Sequence, residues 1–355
     1  MMAIVTSKME KTRKSTHFRF SYEIRLAAII GLVIAVASLG THGGFWTEAN
    51  LSSILVDSAM VSIPAIGMTF VIIAGGIDVS VGAILGLSVT IVGLVYNLGL
   101  PIWMATACGL VSGLVMGTIN GAVITFLKIS PIITTLGFLS IWSAAIYLFL
   151  GGNWITNIPP SFSQVFITDH WWGIPFAMWV ALLLVGSFTW IAVKRPWGRY
   201  LYAIGSNSDA AKVVGIPVTF TIIGAYALLG VLSSIAGLIH LGLSPLVQAT
   251  TGSGFELSVI AAVVVGGTDI VGGRGTVYGT LLGSVLVEII SDTVVLFHIQ
   301  AFWQGVATGV IILIAVVSGT IYRQRQKQIL EPQESRVYKK TALKEESKDD
   351  NLGHS

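Results

Sequence analysis

The strongest constraint on the fold is a series of apolar stretches that recur along most of the chain. A bilayer core about 30 Å thick needs roughly 20 apolar residues in a helix. Windows of that kind fall near residues 24–41, 54–74, 79–97, 101–127, 132–150, 174–193, 217–242, 255–267, 277–297 and 301–322. The composition agrees, because only 10% of the residues are charged, against roughly 25% in soluble domains. The sequence therefore predicts an all-α integral membrane protein with about ten transmembrane helices.

The lysines and arginines indicate the orientation, because cytoplasmic loops are enriched in these residues. With the N-terminus inside, all 20 of them fall on the cytoplasmic side. The start of the chain, 1–39, also resembles a signal peptide, but the nine spans that follow favour an uncleaved first helix. We therefore predict a basic cytoplasmic N-terminus (1–23), a transmembrane domain (24–322) with a long cytoplasmic loop (194–216), and a charged cytoplasmic tail (323–355).

An internal repeat is visible in "GGIDVSVG" (75–82) and "GGTDIVGG" (266–273). Each copy follows a span that descends toward the cytoplasm and precedes one that rises, and transporters are often built from such repeats. Glycine permits close approach of two backbones, and an Asp in such a turn can bond its own backbone. The predicted inner turns are centred on Gly75, Gly76, Asp78, Gly266, Gly267 and Asp269. They either serve tight helix packing or move when a transport path opens.

The stretch "SNSDAAKVVGIP" (206–217) in the long cytoplasmic loop has the signals of a short helix near 207–214. Ser206 followed by Asp209 forms a capping box, Gly215 suits the left-handed position after the helix, and Pro217 prevents continuation. A helix of about two turns is too short to be stable alone in water. Its apolar face, formed by Ala210, Val213 and Val214, packs either on this protein's own cytoplasmic end or in a groove of a soluble partner.

Several motifs resemble a known family. "DAAKVVG" (209–215) is similar to the EAA-x-x-x-G loop of ABC importer permeases, the segment that docks into the ATPase subunit. "GGIDVSVGAILGLS" (75–88) and "FELSVIAAVVVGGTDIVGGRGTVYGTLLG" (255–283) resemble the ribose-type sugar permeases, and the resemblance extends over residues 45–320. "LKISPIITTLGFLSIW" (127–142) and "GGNWITNIPPSF" (151–162) are most similar to autoinducer-2 permeases.

This resemblance implies the permease subunit of an ATP-driven importer in the bacterial inner membrane. It implies three protein partners: an ABC ATPase, a second permease that is a copy or a homologue, and a periplasmic or lipid-anchored solute-binding protein. The implied solute is small, polar and sugar-like, with autoinducer-2 first and ribose- or rhamnose-type monosaccharides next. ATP is then bound by the partner, so no cofactor is expected here. The resemblance also implies a set of residues that couple to the ATPase: Asp209, Ala210, Ala211, Val213, Val214 and Gly215.

Acidic residues within the spans suggest part of a substrate path. Glu288 and Asp292 lie four apart in the ninth span and therefore share a helix face. A charge at mid-helix costs about 2.5–3.5 kcal/mol, so both should face a wet cavity, another helix or a dimer seam. Asp57 and Glu256 are instead expected near the outer ends of the second and eighth spans. Glu288 and Asp292 also support an alternative function, in which they form the proton relay of a proton-coupled secondary transporter. The capped cytoplasmic helix would then have no role.

Neutral polar and aromatic residues complete the possible path. Trp303 and Gln304 stand at the outer end of the tenth span and Asn120 lies in the fourth, where they could contact an uncharged polar solute; bonding between helices is the other interpretation of the amides. Trp171 and Trp172, in the outer loop 151–173, belong either to an aromatic belt or to a rim that receives a binding protein.

Other function classes lack support in the sequence. No phosphate-binding loop motif occurs in the chain, so ATP is not bound here by that device. The single cysteine excludes an intrachain disulfide, and no histidine has a Cys or His partner at metal spacing. The net charge of +3 follows the membrane topology and does not form a patch for nucleic acid. We therefore predict neither an enzyme nor a metal site.

Overall fold

The computed structural model describes residues 24–41, 43–300, 303–314 and 317. Twelve helices account for most of the described chain: α1 Ile24–Gly40, α2 Glu48–Ile73, α3 Val81–Asn97, α4 Ile102–Leu127, α5 Pro131–Leu150, α6 Phe176–Lys194, α7 Pro196–Ser206, α8 Ser208–Val213, α9 Val218–Leu243, α10 Phe255–Val265, α11 Val277–Leu296 and α12 Trp303–Ile314. Shorter helical turns occupy Gly44–Trp46, Ser161–Ser163 and Gln164–Thr168. A two-stranded antiparallel hairpin, β1 His170–Trp171 and β2 Ile174–Pro175, directly precedes α6, with His170 opposite Pro175.

The apolar helices coincide with the ten predicted windows. Six of them, α2, α4, α5, α6, α9 and α11, are long and apolar enough to cross a membrane. The other four, α1, α3, α10 and α12, are apolar but shorter. The predicted all-α membrane architecture is therefore confirmed. The predicted cytoplasmic regions 1–23 and 323–355 lie outside the described residues.

Helix α2 lies at the centre of the main body, residues 1–312, because other helices surround it. It contacts α6, α9, α10 and α11, and 89% of its most apolar window is buried inside the protein. Ile63, Ile66 and Met68 are fully buried on this helix. The second compact unit, residues 313–355, is described only at Leu313, Ile314 and Val317.

Helix α10 is too short to cross the membrane alone. Its 11 residues span about 16 Å at 1.5 Å per residue, roughly half of the hydrocarbon core. The irregular segment 244–254 before it reaches inward, and its Gly252 packs on Gly82 in the first turn of α3. Within this segment Val247 and Thr251 are buried, whereas Pro245, Thr250, Ser253 and Gly254 are exposed. Non-helical chain at membrane depth is tolerated where it packs on protein or lines a water-filled cavity.

Contacts at the start of α10 place one acidic residue. Glu256, in the first turn of α10, lies beside Gly82 in the first turn of α3. Its position near the outer end of the eighth span stays a prediction.

Candidate functional site

The segment between α6 and α9, which the sequence predicts to be cytoplasmic, folds as two short helices, α7 and α8. Pro196 opens α7 at the first helical position, where its missing N–H costs nothing. Gly198, Leu201 and Ile204 form the buried face of α7. Trp197 packs edge-on against Phe70 near the inner end of α2, with ring centroids 5.3 Å apart. The segment is therefore anchored to the central helix.

Helix α8 has a cap at each end, but its N-terminal cap differs from the prediction. The Asn207 side chain accepts the N–H of Ala210 at 2.9 Å, whereas Ser206 donates to the carbonyl of Tyr202 at 2.8 Å and thus belongs to the last turn of α7. Asp209 pairs with Lys212 at 3.0 Å on the exposed surface. The predicted Ser206–Asp209 capping box is therefore wrong, because the N-terminal cap is Asn207, one residue after Ser206.

The C-terminal end of α8 follows the prediction. Gly215 has a φ of 81° and its N–H bonds the carbonyl of Lys212 at 3.0 Å, while the N–H of Ile216 bonds that of Ala211 at 3.1 Å. These two bonds are the Schellman pattern that ends helices at a left-handed glycine. The helix therefore has a defined length and a fixed end.

The side chains of α8 point in two directions. Ala211 is buried against the rest of the protein. Ala210 is exposed, and Val213 and Val214 are 87% and 74% exposed. The two exposed valines form a small apolar face at the end of α8 without a partner among the described residues.

Each of the two glycine turns ends the preceding helix with a left-handed glycine. The structural equivalence of these glycines differs by one residue from the alignment of the two sequence motifs. The left-handed residue after α2 is Gly75, with φ 89°, and the left-handed residue after α10 is Gly267, with φ 91°. The motif aligns Gly75 with Gly266 instead. Asp78 therefore follows the left-handed glycine by three residues, and Asp269 by two.

Both aspartates nevertheless close the predicted turn onto their own backbone. Asp78 accepts the N–H of Ser80 at 2.8 Å, and Asp269 accepts that of Val271 at 3.0 Å. This arrangement is the one expected for Asp in a turn. The structure thus confirms the paired helix–turn–helix units.

The first turn is buried in the protein at its aspartate. After Gly75 the chain climbs back into the protein, and Asp78 and Ser80 are both fully buried. The amide of Asn120 in α4 donates to Asp78 at 3.1 Å and to Ser80 at 2.8 Å. Asn120, a candidate for the substrate path, is itself fully buried and here bonds one helix to the start of another.

The second turn is tied to the next helix and to the first turn. A Cβ at Gly266 would lie 2.6 Å from the carbonyl oxygen of Gly279 in α11, so only glycine fits this approach of α10 and α11. The N–H of Asp269 bonds the carbonyl of Arg274 at 2.9 Å and closes the loop. The N–H of Gly273 bonds the carbonyl of Ile73, at the end of α2, at 2.8 Å.

The acidic candidates lie at the seam of α2 and α11. The Asn50 amide donates to Asp292 at 3.0 Å, and Ser53 donates to Asp57 at 3.2 Å. Glu288 lies within electrostatic reach of both Asp57 and Asp292. The pair therefore faces another helix rather than lipid, which is one of the three environments that the sequence allowed.

The remaining candidates lie on another side of α11. Trp303 lines an apolar cavity of ≈ 440 Å³ with Val294 and Val306, and the Gln304 amide donates weakly to the carbonyl of Ser291 at 3.5 Å. The five predicted path residues therefore occupy three separate places in this conformation. Within the described ranges, no group of three or more His, Cys, Asp or Glu side chains is placed to hold a metal ion.

Comparison with known proteins adds the family. Residues 50–316 match the permease family described as "Branched-chain amino acid transport system / permease component". The chain belongs to this permease family. The matched region contains every candidate residue discussed above.

Individual relatives of this permease carry names of sugar-like solutes. The chain is 36% identical over 315 residues to the ribose import permease protein RbsC of Bacillus subtilis, covering 88% of this chain and 97% of the relative. It is 33% identical to RbsC of Haemophilus influenzae, covering 84% and 94% of the two chains. It is 31% identical to the autoinducer 2 import system permease protein LsrC of Photorhabdus laumondii, covering 88% and 95%.

The predicted class of protein is thereby confirmed. The chain is an ABC importer permease of the bacterial inner membrane and not an enzyme, and ATP is bound by the partner ATPase. Such a permease works with an ATPase and a solute-binding protein.

One packing element of the permease was not predicted from the sequence. Gly109, Gly113, Gly117 and Gly121 recur every four residues along α4 and lie on one helix face. The last three pack on α9 at Gly230, Tyr226 and Ile223. Small residues at this spacing allow close helix contact in membranes, and the four-residue period was the signal that could have revealed the seam.

Proposed function

We propose that this permease conducts a small polyhydroxylated solute and that α8 is the element that docks on the ATPase. The exposed pair Val213 and Val214 supports this proposal most strongly. An apolar face of this size on a two-turn helix needs a groove to cover it, as in other helix-in-groove contacts. The caps at Asn207 and Gly215 hold the helix ready before docking.

The proposed solute follows from the relatives. Permeases named for ribose and for autoinducer 2 both align over more than four-fifths of the chain. Both solutes are small molecules rich in hydroxyl groups, and the preference for autoinducer-2 stays a prediction. We propose the same partners as for these systems: a second permease, either a copy or a homologue, and a solute-binding protein outside the membrane.

The outer hairpin supports a contact with the binding protein. Trp172 stands at the tip of the β1–β2 turn with 92% of its surface exposed, and Trp171 beside it is 63% exposed. Tryptophan is enriched among the residues that anchor protein interfaces. The exposed hairpin tip therefore favours a rim that receives a binding protein over an aromatic belt.

The docking proposal is tested by charging the apolar face of α8. We expect the double variant Val213→Asp, Val214→Asp to lose the ATPase on co-purification of the full transporter and to take up neither ribose nor autoinducer-2, because two carboxylates would have to be buried in an apolar groove. The matched control Val213→Leu, Val214→Leu keeps the apolar surface and should retain both properties. Normal ATPase capture by the aspartate variant would contradict the proposal.

A further inference from the structure

We propose that Ile73, Gly205 and Gly273, here called the junction, form a fixed link through which α7 and α8 move both glycine turns as one body. The inference rests on the proposed docking of α8 and goes beyond it by assigning how the motion enters the membrane domain. Gly205 is the key positioning residue.

The junction is a meeting of three backbones. The N–H of Gly273, in the second turn, donates to the carbonyl of Ile73, which ends α2. Gly205, in the last turn of α7, packs directly on this bond. A Cβ at Gly205 would overlap the carbonyl oxygen of Ile73 and would lie 2.6 Å from the nitrogen of Gly273. Only glycine lets α7 approach so closely, and the contact leaves no space for sliding.

Further contacts hold α7 against the same two partners. The Tyr202 hydroxyl donates to the carbonyl of Gly275 at 2.9 Å, which fixes α7 to the second turn. Trp197 packs on Phe70 of α2 with ring centroids 5.3 Å apart. A Cβ at Gly273 would lie 2.8 Å from the Ser206 hydroxyl oxygen. The contacts extend along α7 from its first turn to its last, so α7 is attached as a rigid bar and not at one point.

The junction joins both copies of the repeat. Ile73 leads through Gly75 to the buried Asp78–Asn120 bond and α3, while Gly273 lies between α10 and α11. Helix α8 follows α7 after the single residue Asn207. A displacement of α8 by its partner therefore reaches the two repeats together.

The decisive variant is Gly205→Ala. Alanine favours a helix over glycine by about 1 kcal/mol, so a defect would come from the clash and not from helix propensity. We expect the variant transporter to retain its ATPase on co-purification. Uptake should fall at least tenfold, and the loaded binding protein should no longer stimulate ATP hydrolysis. Gly186→Ala in α6 is the matched control, because a Cβ there meets nothing within 4 Å, and it should behave as wild type.

A second, milder variant protects the test against misfolding. Tyr202→Phe keeps the ring and removes the hydroxyl that bonds Gly275, and we expect about threefold lower uptake with normal assembly. It decides the matter if Gly205→Ala does not assemble. The proposal is overturned if either variant forms the complete transporter and its uptake is within twofold of wild type. It is also overturned if the Gly205→Ala permease folds but does not retain the ATPase on co-purification. Failure of docking itself is recognised separately, because the aspartate variant of α8 would then still capture the ATPase.

Discussion

At the scale of single residues, glycines 205 and 215 are required for different reasons. Gly215 has a φ of 81°, and a Cβ at its position would meet nothing within 4 Å. Its requirement is therefore conformational, since left-handed backbone costs other residues roughly 1–2 kcal/mol. Gly205 is required by crowding instead. The two positions therefore call for different substitutions when the role of each is tested.

Replacement of Gly215 should separate ATP hydrolysis from transport. Valine is β-branched and resists a positive φ, so Gly215→Val should unwind the end of α8 and uncouple ATP hydrolysis from solute uptake. Asparagine tolerates the left-handed region, and Gly215→Asn should keep uptake within about twofold of wild type. Both rates are measured in vesicles that contain the complete transporter. Equal uptake by the two variants would argue against a coupling role for this cap.

Sequence reasoning at this scale predicted the turns but not their register. The left-handed Gly215 and the backbone bonds of Asp78 and Asp269 follow from residue type and are confirmed. The cap of α8 at Asn207 and the pairing of Gly75 with Gly267 were missed. Both errors are shifts of one residue, because a cap is decided by where the last hydrogen-bonded turn of the neighbouring helix ends. Identity between motifs carries no information about that position.

At the scale of elements, the seam of α4 and α9 depends on glycine. A Cβ at Gly113 would overlap the Ser234 hydroxyl oxygen and the carbonyl of Gly230, whereas a Cβ at Gly137 in α5 meets nothing within 4 Å. Whole helices pack here through their backbones, and this explains why α4 presents so many glycines on one face.

The seam predicts a difference in stability between two alanine variants. Gly113→Ala should force the helices apart and lower the stability of the purified permease by about 1–3 kcal/mol, the usual cost of overpacking. Gly137→Ala should leave it unchanged or raise it. The difference is measured by thermal unfolding in detergent, with loss of the monodisperse species as the readout. Similar transition temperatures for the two variants would show that α4 and α9 are not held by close contact.

The elements themselves were predictable, whereas their depth was not. Each apolar window corresponds to an apolar helix, because hydropathy over about 20 residues reflects the thickness of the bilayer. The half-length of α10 and the inward course of residues 244–254 could not be predicted. Hydropathy records that a segment is apolar, but not whether protein, water or lipid surrounds it.

At the scale of the whole molecule, the predicted path residues do not share one chamber. Asn120 is sealed with Asp78, the acids lie between α2 and α11, and Trp303 borders an apolar cavity. Sequence reasoning treated them as one set because each is polar or aromatic within a span. Their separation arises from the tertiary arrangement of helices that are distant in sequence, and a pattern along one helix does not encode it.

The seam of α2 and α11 offers a test of the path. If Glu288 and Asp292 face water during transport, cysteines at these positions in a Cys108→Ala background should react with small hydrophilic thiol reagents, and solute with ATP should change the rate. A cysteine at Leu85, fully buried in α3, is the control and should not react. Complete protection of positions 288 and 292 throughout the transport cycle would place them in a permanently dry helix seam.

The enclosure of α2 has a consequence for how the protein is made. The helices that cover it include α9 and α11, which begin 170 and 229 residues after it does. Newly synthesised α2 therefore lacks these two neighbours until most of the chain has been made. We expect a chain halted before residue 277 to leave α2 without α11, so that the Asn50 amide has no Asp292 carboxylate to bond.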